Sequence, residues 1–336
     1  MVSLKDIANH CGVSVATVSK VLNGHSDIGE ATRQKVLAAA ADMGYTANAA
    51  ARALKTNRSH NLGIVFVDLQ HSGFMHEYFA SMLNYFRMEA EKYGYDICFI
   101  NNRVGSKSQT YLQQALYRGV DGVALICADF YDPGIQELAY SSIPIVSLDH
   151  VYNNRMAVLS DNVHGMMELT RYVYKKGHRK IAYIHGNETA VTESRMTGFY
   201  KACEELQLKV PGEYIQECEY HEPNSCYEAT KKLLELKDRP SCILFPDDYA
   251  FIGGNRAIVE AGLKTPEDIS VAGYDGIHMA KVISPRLTTW EQNTRELGKI
   301  AADKLIERIE NPRTAIPEHI TVEGRLLDGE TVRQLG

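Results

Sequence analysis

From Leu62 onward, short apolar, β-branched runs alternate with amphipathic stretches. That alternation limits the possible folds more than any other feature of the chain. Strand-like runs cover Leu62–Leu69, Tyr95–Asn101, Gly122–Ile126, Ile143–Leu148, Lys180–Ile184, Cys242–Phe245 and Ile269–Tyr274. Helical periodicity covers Tyr78–Tyr93, Ser108–Arg118, Val163–Lys176, Glu193–Leu206, Cys226–Leu236, Tyr249–Ala261 and Arg295–Ile309. Strand followed by helix, repeated, predicts parallel sheets with helices on both faces. So many elements exceed one compact sheet, so two similar α/β lobes with a cleft between them are expected. Ligands of such sheets bind at the carboxyl ends of the strands.

The first sixty residues follow another rule. In Leu4 to Asn23, LKDIANHCGVSVATVSKVLN, two short helical patterns flank the Gly-containing turn His10-Cys11-Gly12-Val13. Ser14 can cap the second helix. Ile7, Ala8, Val13, Val18 and Val21-Leu22 are spaced to bury one face of each helix, which leaves Val15, Ala16, Thr17, Ser19 and Lys20 outside. This is a helix-turn-helix pattern, whose outer face suits the major groove of DNA. A third helix is expected from about Glu30 to Met43, with Val36, Leu37, Ala40 and Met43 at helical spacing and Gly44 as its stop. Asn48 to Lys55, NAAARALK, then reads as a hinge segment with helical propensity. It is too short to be stable alone and is expected to become helical when something pins it.

Charge separates the two regions. Residues 1–60 carry Lys5, Lys20, Arg33, Lys35, Arg52, Lys55 and Arg58 against Asp6, Asp27, Glu30 and Asp42, whereas the chain of 336 residues has a net charge of −6. A basic head on an acidic body fits a head that meets phosphate. With 45% hydrophobic and 23% charged residues, the chain has the composition of a globular protein. No apolar run approaches the ~18–20 residues needed to span a bilayer. The chain passes almost at once into Ser3-Leu4-Lys5-Asp6, a capped helix start, so no signal peptide and a cytoplasmic location are expected. The seven cysteines are scattered and form no CxxC, which fits free thiols in a reducing compartment rather than zinc or disulfides.

Together these motifs resemble the lactose-repressor (LacI/GalR) family of bacterial transcription regulators, nearly end to end. The family pattern continues as ATRQKVLAAAADMGY and NAAARALKTNR. In the body it appears as GVDGVAL, IPIVSLDH, DNVHGMMELTRYVYKKGHRKIAYIHG, SRMTGF, ISVAGYDG, LTTWEQN and RLLDGETV. The resemblance implies a helix-turn-helix domain over 1–46, a hinge helix and linker over 47–61, and an effector-binding and dimerisation body over 62–336 of the periplasmic-binding-protein type. Its N-lobe would take about 62–160 plus 291–322, and its C-lobe about 161–290 plus 323–336.

For DNA, the resemblance places Val15, Ala16 and Lys20 at base edges. Ser3, Ser14, Thr17, Ser19 and Asn23 would be at phosphates, which set register rather than sequence. Asn48, Ala51, Leu54 and Lys55 would lie in the minor groove, with Leu54 as an apolar wedge at the central base step. Ala47 stands where the family usually has proline.

For the effector, it implies Asp149, Arg195, Asp247 and Asp275, with His221 where many relatives carry a stacking aromatic. Phe74 and Trp290 are further candidates. Asp247 departs from a more usual asparagine. The stretch Asp68 to Tyr78, DLQHSGFMHEY, is longer than the family's short loop and has Glu77 where proline is common, so His71, Phe74 and His76 are placed to reach or cover a ligand. Carboxylates and a guanidinium offer planar hydrogen bonding to neighbouring hydroxyls, and three carboxylates repel anions. A neutral, polyhydroxylated effector, a sugar or sugar derivative, is therefore expected, with a nucleobase or nucleoside corepressor as the alternative.

An exported sugar-binding protein would lack the helix-turn-helix. A sugar-modifying enzyme would need catalytic machinery. His178, His185 and Cys203 come with no nucleophile elbow, Walker loop or zinc spacing, and Gly253-Gly254 falls in a helical stretch. The expectation is a DNA-binding repressor with no cofactor, metal or membrane partner. It would bind a pseudo-palindromic operator as a homodimer, since no leucine-rich tetramerising helix follows Leu326-Leu327.

Overall fold

Ser3 starts the first helix. Its backbone N–H donates to Asp6 Oδ2 at 2.9 Å, and the Asp6 N–H donates to Ser3 Oγ at 3.3 Å, a reciprocal cap that satisfies otherwise orphaned backbone donors. The computed structural model describes residues 2–22, 24–45, 58–67, 73–105 and 107–336, in two compact units, Met1–Ser59 and His60–Gly336. The head holds helices Leu4–Cys11, Val15–Leu22 and Glu30–Asp42. Gly12, at φ 64°, takes the left-handed conformation that ends the first helix. Ser14 Oγ accepts the Thr17 N–H at 3.0 Å and so caps the second.

Ile7, Ala8, Cys11, Val18, Val21, Val36, Ala39 and Ala40 form the head's core. Val13 and Leu22 pack against it while only partly buried. Leu37 departs from the sequence expectation and is 42% exposed. The buried stripe of the third helix runs through Val36, Ala39 and Ala40, with Met43 packed beside it, and Leu37 lies off that stripe.

The body is built on two six-stranded sheets. The first contains β1 (Asn61–Phe66), β2 (Asp96–Phe99), β5 (Gly122–Cys127), β6 (Ile145–Leu148), β7 (Met156–Ser160) and β13 (His319–Val322). Its order is β2-β1-β5-β6-β7-β13, parallel throughout. A small hairpin, β3 (Arg103–Val104) and β4 (Lys107–Ser108), lies beyond β2 in the chain.

The second sheet contains β8 (Ile181–His185), β9 (Ile215–Glu217), β10 (Cys242–Leu244), β11 (Ser270–Asp275), β12 (Thr288–Glu291) and β14 (Arg325–Leu327). It is ordered β9-β8-β10-β11-β12-β14, and β14 alone runs antiparallel to its neighbour. The central strands are apolar without alternation because helices cover both faces. All seven strand-like runs of the sequence become strands.

The chain crosses between the sheets three times: after β7 into helix Asn162–Lys175, after β12 into helix Thr294–Glu310, and from β13 into β14. In the first lobe, helix Thr294–Glu310 packs on helix Glu77–Lys92. The contact needs Gly298, where a Cβ would come within 2.3 Å of the Met82 carbonyl oxygen. The lobes also touch directly. Ile277, from the second lobe, is buried in the first lobe's core, and the His278 N–H donates to Glu77 Oε1 at 2.7 Å. Among the described residues, no helix is long and apolar enough to cross a membrane.

Candidate functional site

Between the lobes lies a cavity of about 400 Å3. Its walls come from the carboxyl ends of β1, β5, β6 and β11 and from the segments after β8, β9 and β12, where parallel sheets present their ligand sites. Asp149, Arg195, His221 and Asp275 all line it. Three of these four have left-handed backbones without being glycine: Asp149 at φ 52°, His221 at φ 60° and Asp275 at φ 104°. Such strain persists where surrounding structure enforces it, commonly at ligand sites.

Arg195, on helix Ala190–Glu205, is 4% exposed. Its Nε donates to Asn162 Oδ1 at 2.8 Å and a terminal nitrogen donates to the Pro246 carbonyl at 2.7 Å. The other terminal nitrogen lies 3.6 Å from Asp275 Oδ1. The guanidinium also stacks 3.7 Å from the Tyr274 ring centroid. Burial disfavours its charge, but Tyr220, Tyr274 and Asp275 outweigh that, so the cation is retained. Asp275 also accepts from Gln292 Nε2 at 2.6 Å. Burial, only partly offset by Arg195, pushes Asp275 up to about 6. Asp149 accepts the Ser160 N–H at 2.6 Å and the Tyr78 hydroxyl at 3.3 Å, and burial raises it as well.

The other anticipated residues fall elsewhere. Asp247 is fully buried and does not line the cavity. Its carboxylate is turned to the chain, accepting from Ala250 N at 2.6 Å and His221 N at 3.1 Å, and so positions His221. Burial alone raises Asp247, but the adjacent His221 imidazole and the Ala250 N–H hold it down at about 2. Trp290 sits within β12, 5% exposed, in the second lobe's core. It fills space left by Gly165 and Gly324, at either of which a Cβ would meet its Nε1 within about 2.5 Å. Gln292, just past the end of β12, reaches the cavity instead. Phe74 stacks on Phe66 and meets Phe99 at a tilt, 55% exposed, at the first lobe's surface, and Phe79, in the first turn of helix Glu77–Lys92, takes the cavity wall.

Sequence reasoning missed Tyr78, Phe79, Phe130, Tyr220 and Gln292 as cavity residues. Phe130 lies flat on His150 with ring centroids 4.6 Å apart. The Tyr220 ring occupies the space above Gly186, where a Cβ would collide at 2.1 Å. Gln292 was within reach, since it lies in the quoted LTTWEQN motif.

In the head, Val15, Ala16 and Lys20 are exposed along the second helix, and Thr17 and Ser19 are half-buried beside them. Lys20 Nζ pairs with Asp27 Oδ2 at 2.5 Å, a contact that sequence spacing did not reveal. Ser3 and Ser14 serve as helix caps. Asn23, Ala47, Asn48, Ala51, Leu54, Lys55 and His71 lie outside the described residues.

A helix-turn-helix head joined to a two-lobed α/β body with a ligand-sized cleft defines a DNA-binding regulator that answers to a small molecule. Residues 3–48 match the model for bacterial regulatory proteins of the lacI family, and residues 170–332 match that for a periplasmic binding protein-like domain. The chain is 31% identical to the HTH-type transcriptional repressor PurR of Mannheimia succiniciproducens, over all of both chains. It is 33% identical to PurR of Proteus mirabilis, over 99% of this chain and 97% of that one. The solved lac repressor dimer bound to operator and the anti-inducer ONPF superposes with a TM-score of 0.83 at 25% identity, covering 99% of each chain. The transcriptional regulator CelR in complex with cellobiose gives 0.72 at 24% identity, over 98% of this chain and 100% of that one. The chain belongs to the lacI family of bacterial regulatory proteins and is a DNA-binding transcriptional repressor. Its curated relatives are repressors, not enzymes.

Proposed function

We propose that this repressor acts in the cytoplasm as a homodimer on a pseudo-palindromic operator, under the control of a neutral polyhydroxylated effector, a sugar or sugar derivative, held in the cleft. The observation that carries this reading is the polar cluster Asp149, Arg195, Asp275 and Gln292 in the cavity wall. Arg195 already gives two of its five N–H donors to Asn162 and Pro246 and stands 3.6 Å from the Asp275 carboxylate, so its charge is opposed before any anion arrives. The carboxylates favour a ligand rich in hydroxyl donors. Gln292 Oε1 is buried without a hydrogen-bond partner, an acceptor that such a hydroxyl would satisfy. Phe79, Phe130 and Tyr220 supply apolar faces beside it.

On the DNA side, Val15 and Ala16 offer only apolar contact to bases, and Lys20 is the group able to hydrogen-bond a guanine edge or a phosphate. Ser3, Ser14, Thr17, Ser19 and Asn23 hold phosphates. The hinge residues Asn48, Ala51, Leu54 and Lys55 enter the minor groove, with Leu54 wedged at a kinkable step. Effector binding changes how the lobes meet, and hinge and operator affinity follow by linkage.

A second reading, a nucleobase corepressor, draws on the name PurR carried by relatives of 31–33% identity and on the flat aromatic walls. The deciding experiment is a thermal-shift screen of sugars, polyols and nucleobases on the full chain, each hit then tested for its effect on operator affinity. A ligand at 100 times its Kd stabilises by about 2.7 kcal/mol. Hits among sugars support the first reading, hits confined to nucleobases replace it with the second, and a hit that leaves operator affinity unchanged contradicts control through the cleft.

A further inference from the structure

His76, His221 and Asp247 are far apart in sequence, and no local ligand motif connects them. The fold nevertheless brings one donor atom from each to within 4.8 Å of the others. His76 immediately precedes helix Glu77–Lys92 of the first lobe. His221 follows β9, and Asp247 follows β10, both in the second lobe. The two imidazole rings approach to 3.8 Å between centroids, and His221 Nδ1 lies 3.7 Å from Asp247 Oδ2. His76 is 2% exposed and Asp247 is fully buried.

We propose that these three residues form a site for a transition-metal dication of the zinc class that bridges the two lobes. Two imidazoles and a carboxylate are a borderline donor set suited to Zn2+ or Co2+ rather than to Mg2+ or Ca2+. Bond lengths near 2.0–2.2 Å put tetrahedral donors about 3.4 Å apart, so side-chain rotation that brings donors now within 4.8 Å of one another up to about 1.4 Å closer completes the geometry. The carboxylate is already oriented from behind by Ala250 N and His221 N, the outer support that ligating groups need. Three protein donors leave a fourth position, and His221 also lines the effector cavity, so that position can take water or an effector oxygen. Because the donors come from both lobes, the ion binds best when the lobes are together. By linkage it therefore favours the same lobe arrangement.

The test is a calorimetric titration of the chelator-treated full chain with Zn2+ alone, paired with the visible spectrum of the Co2+ form. The expected result is one ion per chain, with affinity lowered about tenfold or more in both His76→Asn and Asp247→Asn, and a Co2+ spectrum without thiolate charge-transfer absorption. Zn2+ should raise the melting temperature of the wild type and not that of His76→Asn. Asparagine is a good residue at the helix-start position His76 occupies, so that variant should fold. Should it not, Asp247→Asn alone carries the comparison. Cys218, a buried free thiol directly after β9, is the control for a thiolate site: no stoichiometric binding, binding unchanged in both variants, or binding abolished by Cys218→Ser instead would each overturn the proposal. These readouts need no DNA or effector, so their outcome is independent of the effector reading.

Discussion

The head and the body each hold a cation against a carboxylate, in opposite surroundings. Lys20 and Asp27 meet at 2.5 Å with side chains 48% and 55% exposed. Arg195 and Asp275 meet at 3.6 Å with both side chains 4% exposed. An exposed pair is screened by water and contributes about 0–1 kcal/mol, so Lys20 is free to exchange Asp27 for DNA at little cost. A buried pair is held by its neighbours, and its geometry is fixed before any ligand arrives. The head's groups are therefore exchangeable, and the body's are preorganised. One suits a surface that must leave and rejoin a polyanion; the other suits selection of a small molecule by shape and hydrogen bonding.

Arg195→Ala tests the preorganised half most severely. It leaves Asp275 without its cation and strips Asn162 and the Pro246 carbonyl of a donor. Breaking a buried pair in this way costs about 3–5 kcal/mol, to be read from chemical denaturation of the full chain. Any effector-induced thermal shift should disappear with it. A loss below about 1 kcal/mol would put this pair in the same class as an exposed one and erase the contrast.

A smaller effect should appear in the pH dependence. An unfolded aspartate titrates near 3.8, whereas folded Asp275 is raised to about 6, chiefly by burial. Between those values the folded protein keeps a proton that the unfolded chain has released, so this group's contribution to stability falls as pH rises from about 4 to about 6. Asp247 has the opposite sign. Held at about 2, it contributes stability that is present above about 4 and lost as pH falls toward 2. The stability of the wild type minus that of Asp275→Asn should therefore decline with pH across 4–6. A difference that rises over this window means that the attraction of Arg195 exceeds the burial penalty.

How well each region could be read from sequence follows from the same contrast. The head's helices depend on local caps and spacing, so Ser3, Gly12, Ser14 and the buried stripe through Val18 and Val21 were legible. Leu37 was misplaced because alanine-rich helices present weak apolar stripes. The long apolar strands of the body were equally plain. Met156–Ser160, Ile215–Glu217 and Thr288–Glu291 are short or carry polar residues, and helix Pro133–Ala139 has only seven residues, too few for a period to show. In the cleft, Asp149, Arg195 and Asp275 were reached through motifs and then found lining one cavity. Tyr220 and Phe130 were not, because their places depend on tertiary approach: Tyr220 on the absence of a side chain at Gly186, Phe130 on its stack with His150. Trp290 misled because rarity and chemistry gave it weight, while its position within β12 committed it to the core.

Lys20→Ala should have the smallest effect on folding and still be informative. The pair with Asp27 is exposed and screened by water, so stability should hardly change. Operator binding should weaken, and the salt dependence shows how. If Lys20 contacts a phosphate, the loss is similar on specific and nonspecific DNA, and the salt slope falls by about one. If it reads guanine, the loss of about 1–3 kcal/mol is confined to the operator and the slope hardly moves. Asp27→Asn separates these effects from the ion pair itself. It frees Lys20 from its carboxylate and removes a negative charge beside it, so operator affinity should rise slightly. A fall instead would mean that Asp27 holds Lys20 in its reading position, which would make this exposed pair preorganised, like its buried counterpart in the body.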